Sequence, residues 1–125
     1  MQETFENGFV FAGGTHTGTD TLKWNAHPAF MGVFLKHLIK GEQTGGQLSC
    51  HLVKIEPGCS IGLHNHLGKR ELHEVVSGNG TCRIEDEVIE YGPGKIALIP
   101  ADVNHEVNAG KDGLLLLAKF FPALV

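Results

Sequence analysis

The 125-residue chain is expected to fold as an all-β sandwich or barrel, and three features carry that expectation. Turn signals recur at short intervals, the apolar runs between them are strand-sized, and no run keeps a helical period. The turn signals are Gly13-Gly14, His27-Pro28, Thr44-Gly45-Gly46, Pro57-Gly58, Gly78-Asn79-Gly80 and Gly92-Pro93-Gly94.

The elements follow in chain order. The first thirty residues are weakly patterned, and Thr15 to Thr21 is either an ordered arm or a tail. Strands are then expected over residues 30–39, 47–55, 72–76, 81–85, 88–91, 96–99 and 114–121, each a mixture of β-branched and large apolar side chains. Glu85-Asp86-Glu87 reads as a hairpin tip between two of them. Many short strands with Gly and Pro turns do not suit βαβ units. We read a single domain over residues 1–125, with an N-terminal arm to about residue 29 and a barrel core from about 30 to 121.

Composition narrows the function classes. With 42% hydrophobic residues the chain can bury a core without staples, and a formal charge of −4 with no Lys/Arg cluster does not suit a nucleic-acid surface. A small molecule is the expected partner. Cys50, Cys59 and Cys82 are odd in number and lack paired spacing, so neither disulfides nor a cysteine zinc site is indicated; they read as small core hydrophobes in a reducing compartment. The N-terminus lacks the charged start and long apolar stretch of a secretory signal, and the apolar tail from Gly113 to Val125 is too short to span a bilayer. The expected location is cytoplasmic, with no membrane partner. Leu114 to Leu117 are apolar on both strand faces, so the outward face needs a cover. A symmetric homodimer is the simplest one, and the N-terminal arm is the alternative.

The reactive side chains concentrate in Gly62 to Gly78. On a strand, residues two apart share a face, which pairs His64 with His66 and Glu71 with His73. Two imidazoles and a carboxylate from neighbouring strands suit a divalent cation, although His-x-His alone is more often solvated or hydrogen-bonded on a polar strand. His73, on the face of Glu71, is a candidate pocket residue. His51 is a second, its direction open because Leu48, Cys50 and Leu52 make the opposite face apolar too. His16, His27 and His37 carry no partner signal.

Gly58, His64-Asn65-His66, Glu71 and Gly78 at these spacings resemble the first motif of the cupin family. After a gap of fifteen residues, Gly94, Pro100 and His105 resemble the second. The motifs cover residues 58–108, and the flanking strands extend the likeness to about 47–121. Asp102 stands where the second motif usually has glycine, and Ala109 where it has asparagine; Asn108 beside it suggests a register shift at that strand end.

The resemblance implies a cupin double-stranded β-helix, a jelly-roll barrel, in which His64, His66, Glu71 and His105 bind one divalent metal. Iron, manganese, nickel, copper and zinc all accept such ligands. It also implies a metal-dependent enzyme of the dioxygenase, isomerase or lyase type acting on a small oxygenated molecule. A non-catalytic sugar- or effector-binding module is the alternative, and a metal-free epimerase-like protein is opposed by the intact ligand set. No residue is assigned a catalytic role from sequence.

Overall fold

The computed structural model describes residues 4–125, and its described residues form ten β-strands and two short 3-10 turns, with no α-helix. The strands are β1 (Phe9–Ala12), β2 (Thr15–Gly18), β3 (Asn25–Ala26), β4 (Val33–Ile39), β5 (Ser49–Ile55), β6 (Ser60–His64), β7 (Arg70–Ile84), β8 (Glu87–Tyr91), β9 (Ile96–Ile99) and β10 (His105–Phe121). Antiparallel pairing runs β3-β4-β5-β10-β7-β8, with β6 added to β10 and β9 to β7, giving the expected jelly roll.

Two long strands make the barrel. The first part of β10 pairs with β6 and with the end of β7, and its second part pairs with β5 and the start of β7. β7 likewise meets β9 through Glu71–Glu74 and β8 through Gly80–Ile84. The change of partner falls at one irregularity, between Ala109/Leu114 on β10 and Gly78/Gly80 on β7. There Gly78 and Gly113 adopt φ of 89° and 74°, which L side chains rarely tolerate.

Several sequence expectations are corrected here. Residues 72–76 and 81–85 are not separate strands, and Gly78-Asn79-Gly80 is a bulge inside β7 rather than a turn, because β10 continues past it as a partner. The strand expected from residue 30 begins at Val33, after Gly32 at φ 76°. Glu85, expected as a strand end, sits at φ 52° in the tight β7–β8 turn. The weakly patterned start contains the β1–β2 hairpin and β3, and a strand the expectation did not mark out, β6, lies at Ser60–His64.

Alternation on β10 divides the core. Leu114, Leu116, Ala118 and Phe120 pack inside the barrel with Val33, Val53, Ile55 and Ile99. Leu115 and Leu117 face the other way, onto Leu38, Cys50 and Leu52, and this second layer is closed by Val10, Leu22 and Trp24 of the N-terminal segment. The outward face that called for a second subunit is thus covered by the chain's own arm.

Candidate metal centre

The site lies where β6, β7 and β10 meet. His64 is the last residue of β6 and pairs across the ladder with His105, the first residue of β10. Their rings stand 4.2 Å apart. Glu71 enters from the start of β7, on the inward parity of that strand. His66 lies beyond the end of β6, so its direction comes from a loop and not from strand alternation. Asp102 fixes that loop: its carboxylate accepts from the Gly68 amide at 2.7 Å and its own amide donates to the His66 carbonyl at 3.2 Å. Asp102 itself sits at φ 66°, a left-handed position that aspartate tolerates in place of the glycine usual there. Toward β7, Ala109 keeps its ladder place opposite Gly80 and the irregularity follows it, while toward β6 the register shifts earlier, between His105 and Val107.

The result is that one ligand atom from each of His64, His66, Glu71 and His105 falls within 4.8 Å of all the others. Nitrogen and oxygen atoms each about 2.0–2.2 Å from a common ion stand at most about 4.4 Å apart, so the cluster is within a few tenths of an ångström of that spacing. The tautomers are set from outside the cluster. His64 Nδ1 donates to the Gly62 carbonyl at 2.7 Å and His105 Nδ1 donates to the Val103 carbonyl at 3.0 Å. Each neutral ring then keeps its Nε2 lone pair free, the usual arrangement of a metal-binding histidine. His105 Nε2 lies 3.2 Å from Glu71 Oε1, and His66 Nε2 lies 3.6 Å from the same oxygen. Acceptors facing one another at such distances repel unless a positive charge, proton or metal ion, stands among them.

Burial and charge act in opposite directions around Glu71. Burial alone would raise its pKa, but His73 and His105 hold the carboxyl well below the usual carboxylate range. The reverse holds for His73, where burial would favour the neutral ring and the Glu71 charge overrides it, raising the pKa to about 9. His64 is lowered to about 4, chiefly by burial, and His66 is lowered for the same first reason.

The candidate pocket residues are both buried and face inward. His73 Nε2 bonds Glu71 Oε2 at 2.6 Å, and its Nδ1 bonds the Tyr91 hydroxyl at 2.8 Å. His51 settles on the interior side, paired with Ala118 across the ladder. It meets His37 Nδ1 and Ser49 Oγ, each at 2.8 Å, and its ring lies 5.6 Å from that of Phe120. Phe120 in turn packs edge-on against His66 at 4.9 Å, so one aromatic ring separates His51 from the cluster. Tyr91 and His37 carried no sequence signal for these contacts, since each depends on a neighbouring strand, whereas Ser49 shares the face of His51 two residues away on β5. Phe30 lies 6.2 Å from the His64 ring, on the loop before β4.

His51 also makes stability depend on pH in the metal-free protein. Burial, and then His37, depresses its pKa from 6.5 to about 4, so between those values the unfolded chain takes up a proton that the folded chain refuses. Stability therefore falls as pH drops, by about 2 kcal/mol between pH 7 and 4.5 from this residue alone. His64 has the same sign. His73 has the opposite one: its contribution is complete below 6.5 and fades as pH rises toward 9. Thermal melts of the metal-free protein should show a maximum near neutrality and a loss of more than about 8 °C at pH 4.5, since His64 adds to His51. His51→Gln should shrink the acid-side loss and leave the part due to His64, and an acid limb unchanged in that variant would count against the assignment.

Comparison with known proteins places this site in a family. The family model described as a cupin domain matches residues 51–119, which include all four clustered residues. A curated relative, an oxalate-binding protein of Thermotoga maritima, is 28% identical over 67 residues, 53% of this chain. The match spans 55% of that protein's length. Among solved structures, a predicted oxalate decarboxylase of Thermotoga maritima superposes with a TM-score of 0.75 at 22% identity, covering 82% of this chain and 95% of the other. KdgF of a Halomonas species gives 0.72 at 22%, covering 82% and 90%. An RmlC-like cupin of Shewanella frigidimarina gives 0.74 at 16%, covering 86% and 90%. At these identities the structural likeness speaks for the fold alone.

Proposed function

The chain belongs to the cupin domain family, and on that premise we propose that His64, His66, Glu71 and His105 hold one divalent transition metal in a metal-dependent enzyme. The reaction is of the dioxygenase, isomerase or lyase type, on a small oxygenated molecule inside the barrel. The observation that carries this is the convergence of three imidazoles and one buried carboxylate, with the Nδ1 hydrogens of His64 and His105 already committed to backbone carbonyls. Four protein ligands on a six-coordinate ion leave two positions for a substrate. When bound, the metal would act as a Lewis acid toward substrate oxygens. The chain's own part is to orient the ligands through Gly62 and Val103 and to shield them with Phe120 and Phe30.

A second reading, a non-catalytic binding module, is favoured by the name of the Thermotoga maritima relative, an oxalate-binding protein. Both readings share the metal and a small oxo-acid as ligand. They separate on turnover.

The test begins with elemental analysis of purified wild-type protein beside His66→Ala. About one metal per chain in the wild type and little in the variant is the expected result. No metal in either protein, even after reconstitution with iron, manganese, nickel, copper and zinc in turn, would sink the metal reading. With metal present, oxalate is the first probe. Product formed and lost on chelation supports the enzyme, whereas calorimetric binding without product supports the module.

A further inference from the structure

The two oxygens of Glu71 have different surroundings. Oε1 faces His105 Nε2 at 3.2 Å and His66 Nε2 at 3.6 Å, while Oε2 meets His73 Nε2 at 2.6 Å. The far nitrogen of His73, Nδ1, lies 2.8 Å from the Tyr91 hydroxyl. His73 and Tyr91 are only 2% and 3% exposed, so water does not compete for these bonds. An ionised carboxylate can only accept, which requires a hydrogen on His73 Nε2. That hydrogen is present in either state of the ring. In the neutral form the Tyr91 hydroxyl donates to Nδ1; in the charged form Nδ1–H donates to the phenol oxygen. Tyr91 fixes the ring's rotation in both.

Carboxylate denticity decides how much of the metal remains free. Three imidazoles and a bidentate glutamate fill five of six positions and leave one; a glutamate bound through one oxygen leaves two. We propose that His73, held by Tyr91, is a positioning residue that reserves Oε2 and presents Glu71 to the metal through Oε1 alone. The site then keeps two open positions, which fits a ligand that chelates through two oxygens, such as a small dicarboxylate or 2-oxo acid. This inference rests on the metal reading above and adds to it a ligand class and a residue that sets it.

The test uses Co(II) as probe metal, followed by oxalate as a two-oxygen ligand and formate as a one-oxygen ligand. Wild type, His73→Leu, His73→Gln and Tyr91→Phe are compared by chelator competition and by visible absorption of the bound Co(II). His73→Leu is expected to bind Co(II) about 10- to 100-fold more weakly, with an altered spectrum, as for other residues that orient a metal ligand. It should also lose its preference for oxalate over formate. His73→Gln, whose amide can still donate to Oε2, should recover most of the wild-type affinity and spectrum. Tyr91→Phe should fall between. A His73→Leu protein with wild-type affinity, spectrum and oxalate preference would overturn the proposal. If that variant melts too low to study, Tyr91→Phe decides in its place, since it removes one hydroxyl and little volume, and an unchanged Co(II) spectrum there overturns it equally. A wild-type protein that takes up no Co(II) or other transition metal would overturn the metal reading itself, which is a different failure.

Discussion

Glu71→Gln is expected to weaken metal binding by at least about 100-fold, more than the loss of a residue that merely orients a ligand. Part of the effect is charge. Glu71 is the only anionic group among the four clustered side chains, and a dication among neutral imidazoles alone loses its one strong electrostatic partner. The rest is geometry. An amide has one acceptor and one donor end, and the site needs acceptors at both. With the oxygen toward His73, the NH2 group faces the metal position and offers no lone pair. With the oxygen toward the metal, the NH2 group meets the Nε2–H of His73 at a position where the carboxylate now accepts at 2.6 Å. The side chain satisfies both only if His73 moves its hydrogen to Nδ1 and donates it to the Tyr91 oxygen, which turns the present hydrogen-bond pattern around. Chelator competition with zinc or cobalt measures the loss, and a variant that binds as tightly as the wild type would show that Glu71 is not a ligand.

The pattern of residues reached some parts of this molecule and not others. Local alternation was enough to place Glu71 and His73 on one inward face of β7, because both lie within a single strand and its pairing stays regular as far as Val75. It was not enough for His66. That residue leaves β6 and is turned inward by Asp102, some 36 positions further along the chain, through bonds that no local pattern encodes. The family resemblance supplied His105 for the same reason: its neighbour His64 is a cross-strand partner, not a near one in sequence. The arm was illegible because β1 and β2 bury no residue fully and β1 turns Phe9 and Phe11 outward, so they lack the apolar alternation that marks a half-buried strand. Its contribution to the fold comes from Val10, Leu22 and Trp24, of which only Val10 lies on a strand.

Gly78-Asn79-Gly80 shows how a correct local signal can carry a wrong meaning, and it yields the second large prediction. Glycine pairs do mark unusual backbone, but here they admit a close approach between the two longest strands instead of ending one. A Cβ on Gly78 would lie 2.0 Å from the Gly113 carbonyl oxygen and 2.8 Å from its carbon, and backbone atoms cannot swing aside as a side-chain tip can. The φ of 89° adds torsional strain of about 1–3 kcal/mol. Gly78→Ala is therefore expected to cost more than about 4 kcal/mol, a large part of the stability of a domain this size. Gly94→Ala separates the two causes. Gly94 has nearly the same φ, 85°, yet nothing lies within 4 Å of the added carbon, so it should lose only the torsional part. Urea titrations of the two variants read the difference directly. A Gly78→Ala midpoint far below that of Gly94→Ala, or no cooperative transition at all, is the expected outcome. Equal midpoints would mean that the strands yield at the bulge, and that the backbone angle alone, not their contact, requires glycine there.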